Sequence, residues 1–135
     1  MRILICDQLF PAMMEVLTEL LPREDLRTCN PDQVEAEAPW AEVLIPAMTP
    51  ITAKIIGLAP DLKLIQQFGG GLEGVDIPAA TVSGIPVANV PGKAAPVHAE
   101  CTAEGGVFLM MACARQMKRT QQGVVRGRGG QPTGE

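Results

Sequence analysis

Gly69, Gly71 and Gly74 spell G-x-G-x-x-G directly after the apolar run that begins at Leu62. Such a loop offers backbone N–H groups with no side chain above them, which is the chemistry for holding an anion. The anion could be a pyrophosphate or a smaller carboxylate. A dinucleotide loop also needs a helix with open N-terminal amides and an acidic residue about 20 positions further on for the ribose. Asp76 stands where that helix takes its N-cap, so its carboxylate competes for the same amides. No Asp or Glu lies between Asp76 and Glu100. No Lys-Ser or Lys-Thr follows the glycines, which excludes a Walker loop. A plain tight turn and a backbone-lined pocket for a small anion both fit, the pocket better; a dinucleotide site fits least.

Other residues with chemical potential are sparse. His98 is the only histidine and forms H-x-x-C with Cys101. Two ligands do not make a zinc site, so no metal is expected. Cys6 and Cys113 lie in apolar runs and read as buried thiols; none of the four cysteines has C-x-x-C spacing. Met48 follows the third apolar strand and is a candidate to face a substrate side chain, with a half-exposed loop residue as the plainer reading. Glu73 reads as solvated at the turn tip, where it would modulate anion entry. Glu100 and Glu104 fall near a helix start, where negative charge suits the dipole.

The elements that position these residues follow from the pattern. Arg2–Cys6 is a buried strand, and helical spacing runs from Phe10 to Leu21, ended by Pro22. Asp25–Cys29 suits an edge strand. Asn30-Pro31 opens a helix over 32–38, and Glu42–Pro46 is the third strand. Thr49-Pro50 starts the next helix, through Ala59. Strands at 62–68 and 85–90 flank a short helix at 77–83 that Gly84 ends as a left-handed cap. This alternation implies an α/β fold: a flavodoxin-like, doubly wound, parallel five-stranded sheet with its ligand beyond the carboxyl ends of the strands. The loops there are Asp7-Gln8, 46–50, 69–74 and 89–96. A long helix follows, apolar all round from Val107 to Ala114, and then a Gly-rich tail with Arg126 and Arg128 that reads as linker. The expected organisation is a domain over 1–98, a connecting helix over 99–119 and a linker over 120–135.

With 135 residues, 47% hydrophobic and 3% aromatic, the chain suits one aliphatic, Met-rich core. A net charge of −4 argues against a nucleic-acid surface. No apolar run is long enough for a membrane span, and the first residues lack signal-peptide flanks, so a cytoplasmic protein is expected.

The run LKLIQQFGGGLEGVDIPAATVSGIPVANVPG, followed by TAEGGVFLMMACAR with Glu104 and Arg115, resembles the N-terminal part of the D-isomer-specific 2-hydroxyacid dehydrogenases. The resemblance implies a catalytic, substrate-binding domain that an inserted nucleotide-binding domain interrupts. It implies an oxidoreductase that uses NAD or NADP and a small 2-hydroxy or 2-keto acid. Motif position gives the substrate carboxylate to the amides of Gly70 and Gly71, with Gly69 shaping the turn, and puts Thr102 near the nicotinamide. The family's catalytic arginine, acidic residue and histidine match nothing before Glu135, so no catalytic residue is assigned. The chain alone is then expected to be inactive, without tight NAD(P) binding, and to self-associate through its last helix. The segment KAAPVHAEC departs from the family's pattern after the Pro-Gly turn, and Gly105-Gly106 weakens the helix start by up to about 1 kcal/mol per glycine. The rival class is a stand-alone, non-enzymatic module for small-anion binding or dimerisation.

Overall fold

The computed structural model describes residues 1–7, 11–93 and 96–127, without the side chains of Pro11, Met13 and His98. The chain divides into two compact units, Met1–Pro91 and Gly92–Glu135.

The first unit is a parallel α/β sheet. Its strands are β1 (Arg2–Ile5), β2 (Asp25–Thr28), β3 (Val43–Ile45), β4 (Leu64–Gln66) and β5 (Val87–Ala88), in the order β2-β1-β3-β4-β5. Every pairing is parallel. The order reverses between β1 and β3, which creates the switch point where such sheets bind ligands. Ile3, Leu4 and Ile5 are all buried, as befits a strand covered on both faces. At the edge, β2 exposes Asp25, Arg27 and Thr28, charge and polarity that discourage further strand pairing. Leu4, Leu44 and Ile65 form the centre of the core, with Val34, Ile51, Ile55 and Ala80 packed around them.

Helix α1 (Pro11–Leu20) follows β1. The helix expected over 32–38 is instead three short pieces: a 3-10 turn Pro31–Gln33, α2 (Val34–Glu37) and a 3-10 turn Ala38–Trp40. Pro39 explains the break, because it cannot donate the backbone bond that would continue an α-helix. Helix α3 (Ala53–Leu58) begins later than Thr49-Pro50 suggests. Thr52 is its cap, accepting from the Ile55 N–H at 3.4 Å, while Ile51 is drawn into a parallel bridge with Val75. Helix α4 (Ile77–Val82) has both ends the sequence announces. Asp76 accepts the Ala79 N–H at 3.0 Å. At the other end Gly84 has φ +67°, and Ile85 N–H bonds Ala80 C=O at 2.9 Å while Gly84 N–H bonds Thr81 C=O at 3.0 Å. These are the two bonds of a Schellman turn.

The second unit contains α5 (Pro96–Ala114) and α6 (Met117–Val125). Pro96 suits a first helical position, where its missing N–H costs nothing. Gln116 breaks the helix in a left-handed conformation at φ +46°. Residues 120–125, expected as linker, are therefore helical; 128–135, including Arg128, lie outside the described residues. From Val107 to Met111 every side chain is more than half exposed. Consecutive apolar residues point all round the axis, so no single face is defined for burial. For the same reason Cys113 is exposed rather than buried. Among the described residues no helix is long and apolar enough to cross a membrane.

Candidate functional site

The site grows from Asp7, the first charged residue after the buried strand β1. Its side chain is 5% exposed. One oxygen, Oδ2, accepts the backbone N–H groups of Ala47, Met48 and Thr49 at 3.1, 3.0 and 3.1 Å. Three converging amides make an anion-binding nest, and here the protein's own carboxylate fills it. The loop after β3 is thereby fixed. Thr49 Oγ1 adds a 2.7 Å bond to the Cys6 carbonyl.

The glycine loop lies beside this one and is tied to it. Phe68 N–H donates to Pro46 C=O at 2.9 Å, and Gln67 Nε2 donates to Ala47 C=O at 2.9 Å. Further on, Ile51 N–H donates to Gly74 C=O at 2.8 Å and Asp76 N–H to Ile51 C=O at 2.9 Å. From the other side, Val90 N–H bonds Gly69 C=O at 3.0 Å and Asn89 Nδ2 bonds Gly70 C=O at 2.7 Å. The carbonyls of Gly69, Gly70 and Gly74 are thus engaged. The N–H groups of Gly69, Gly70 and Gly71 donate to no acceptor among the described residues.

Neither Gly69, Gly70 nor Gly71 has a positive φ, so these glycines are not explained by backbone strain. Space bears on one of them: a Cβ at Gly70 would stand 3.2 Å from the Val90 carbonyl oxygen, whereas one at Gly71 would meet only the Glu73 carboxylate, the end of an exposed, flexible side chain that can move aside. A Cβ at Gly69 meets nothing within 4 Å; nothing in the structure requires glycine there for the turn.

A cleft of about 430 Å³ opens between the two loops, beyond the carboxyl ends of β3 and β4. Ala47, Met48 and Thr49 form one wall; Gln67, Phe68, Gly69, Gly71, Glu73 and Gly74 form the other. Met48 and two of the three candidate glycines therefore meet, with Gly70 in the same loop. Thr102 lies exposed on α5, in the second unit. Among the described residues no Lys, Arg or His lines the cleft and no cluster of three metal-ligating side chains exists. After the G-x-G-x-x-G segment, the Ala79 N–H at the start of the next helix donates to Asp76 Oδ1 at 3.0 Å, so that amide is already engaged.

Sequence reasoning placed Asp7 at the end of the first strand, in a loop at the ligand edge, and gave it no role of its own. The available signal was a carboxylate ending a buried parallel strand, where loop amides from the next strand gather. It likewise missed the meeting of Cys6 and Cys29, both buried, just beyond the ends of neighbouring strands. The hydrogen bond to Cys29, then burial, pushes the Cys6 thiol far above its ordinary range.

Comparison with known proteins finds a match over residues 3–130 to the D-isomer specific 2-hydroxyacid dehydrogenase family, catalytic domain. A protein named D-3-phosphoglycerate dehydrogenase from Mycobacterium bovis is 31% identical over 85% of this chain, which covers 21% of that protein. A hydroxypyruvate reductase from Thermotoga maritima is 34% identical over 85% of the chain and 34% of its own length. The chain thus spans a fifth to a third of these relatives. The crystal structure of a D-lactate dehydrogenase from Aquifex aeolicus, complexed with NAD and lactic acid, superposes with a TM-score of 0.78 at 20% identity. It covers 98% of this chain and 39% of that one, a likeness of fold.

Proposed function

From the premise that this chain belongs to the D-isomer specific 2-hydroxyacid dehydrogenases through their catalytic domain, we propose that it is the substrate-binding lobe of an NAD(P)-dependent member. The complete enzyme would exchange hydride between nicotinamide and C2 of a 2-hydroxy or 2-keto acid. One observation carries the site assignment: the unsatisfied amides of Gly69, Gly70 and Gly71 beside a cleft at the switch edge of the sheet. A carboxylate there gains charge-assisted hydrogen bonds and satisfies donors that are otherwise unpaired. Met48 would bear on the acid's side chain, and Asp7 would hold Met48 in place.

The residues of this chain hold, orient and partly desolvate the acid. They supply no proton donor and no cation at the cleft among the described residues, both of which hydride transfer to a keto acid needs. Nor do they form a dinucleotide site, so NAD or NADP, with Thr102 near the nicotinamide, belongs to the complete enzyme. The chain alone is proposed to be inactive and to self-associate.

Titration of the ¹⁵N-labelled chain with pyruvate tests the assignment. Saturable shifts at Gly69–Gly71 are expected; unmoved glycine amides overturn it. NADH oxidation by the chain with pyruvate should be absent, and steady turnover would show that an acid/base group has been overlooked.

A further inference from the structure

The same walls limit how many anionic groups the ligand carries. We propose that this cleft selects monoanionic 2-hydroxy or 2-keto acids with a small uncharged substituent at C3, and rejects phosphorylated and dicarboxylic ones. This rests on the carboxylate-holding reading of Gly69–Gly71.

A second anionic group needs its own donors or counter-charge in a partly desolvated site. The cleft has two sets of backbone donors. The set at Ala47, Met48 and Thr49 is filled from behind by Asp7, at 3.0–3.1 Å. Displacing that carboxylate would leave a buried charge without partners, so a ligand cannot claim those amides. Among the described residues, only the glycine set remains open. The polar side chains in the wall are also engaged inward: Thr49 Oγ1 with the Cys6 carbonyl, Gln67 Nε2 with the Ala47 carbonyl.

Charge points the same way. Among the described residues, the one charged side chain lining the cleft is Glu73, whose carboxylate lies over Gly71. A dianionic phosphate beside it would be repelled, whereas a single carboxylate can seat on the amides and turn an uncharged end towards the thioether of Met48. Met48, uncharged and 77% exposed, lines the rim and offers a second anionic group no counter-charge. Sharing 31% identity with a protein named for 3-phosphoglycerate therefore does not give this cleft that ligand.

The test compares D-lactate with 3-phospho-D-glycerate on the ¹⁵N-labelled chain, in its natural form and as Met48→Arg and Glu73→Gln, each with a dispersed spectrum. D-lactate should saturate the glycine amides at concentrations at least about tenfold lower than the phospho acid, as expected when a second anionic group is desolvated without donors of its own. Met48→Arg, or Glu73→Gln if that variant misfolds, should move the ratio severalfold towards the phospho acid. Equal or tighter binding of the phospho acid by the natural chain, or a ratio indifferent to both variants, overturns the selectivity and leaves the carboxylate site standing. If neither acid moves Gly69–Gly71, the site itself falls, and the selectivity with it.

Discussion

Asp7 shows how much one side chain can fix. Its Oδ2 gathers three amides of a loop about forty residues away in sequence, and it is almost wholly buried. Hydrogen bonds to a charged group contribute about 1.5–3 kcal/mol each, and orphaned amides add a penalty. Asp7→Ala should therefore lower unfolding stability by roughly 3 kcal/mol or more, with water entering to offset part of the loss. Asp7→Asn keeps an acceptor without the charge and should recover about half. Urea denaturation of the three proteins measures both. Equal midpoints would mean that the loop is held by Thr49 and Gln67 alone. The glycines were legible because their type is itself the signal. Asp7 was not, since a carboxylate at a strand end reads equally well as a solvated boundary; its role depends on where the third strand's loop folds, a fact of tertiary structure.

At the scale of elements, the short helix between β4 and β5 was readable at both ends because its caps are local chemistry. Asp76 and Gly84 each act on amides or carbonyls within a few residues. Gly84→Ala puts a Cβ on a backbone with φ +67° and should cost about 1–2 kcal/mol. Gly69→Ala, with open space and no positive φ, should cost much less. The contrast between their thermal midpoints checks that conformation, and not glycine as such, is what matters. The boundaries at Thr49 and Arg115 were less legible. Ile51 leaves the expected helix to pair with Val75, a long-range bond that no local pattern encodes. The ends of the sheet also carry a pH signature. Glu42 takes a 2.5 Å bond from Lys63 Nζ and a 2.9 Å bond from the Arg2 N–H, which together hold its carboxyl down at about 2, against an ordinary 4.5. A lowered folded value means that the charged form favours the fold. The contribution is complete above pH 4.5 and fades as pH falls towards 2. Over that window Glu42→Gln should show a shallower loss of stability than the natural chain, and parallel curves would remove Glu42 as the cause.

For the whole molecule, the parallel sheet followed from alternating strands and helices, because crossover helices return each strand in the same direction. The second unit obeyed no such rule. Val107, Phe108, Leu109, Met110 and Met111 are consecutive and exposed, and each large apolar side chain gains roughly 1.5–3 kcal/mol on burial. A patch of this kind tends to associate. Sedimentation should show the chain's apparent mass rising with concentration, and Phe108→Glu with Met110→Glu should return it to a monomer. A concentration-independent monomer in the natural chain ends that proposal.

The four thiols are split evenly between the two units, and the split has a practical consequence. Cys101 and Cys113 are exposed, while Cys6 and Cys29 are buried where β1 and β2 end. An alkylating reagent should mark two cysteines at once and the other two only when the sheet opens. The mass of the labelled chain then becomes a clock for the opening of the strands behind Asp7, read with no residue changed.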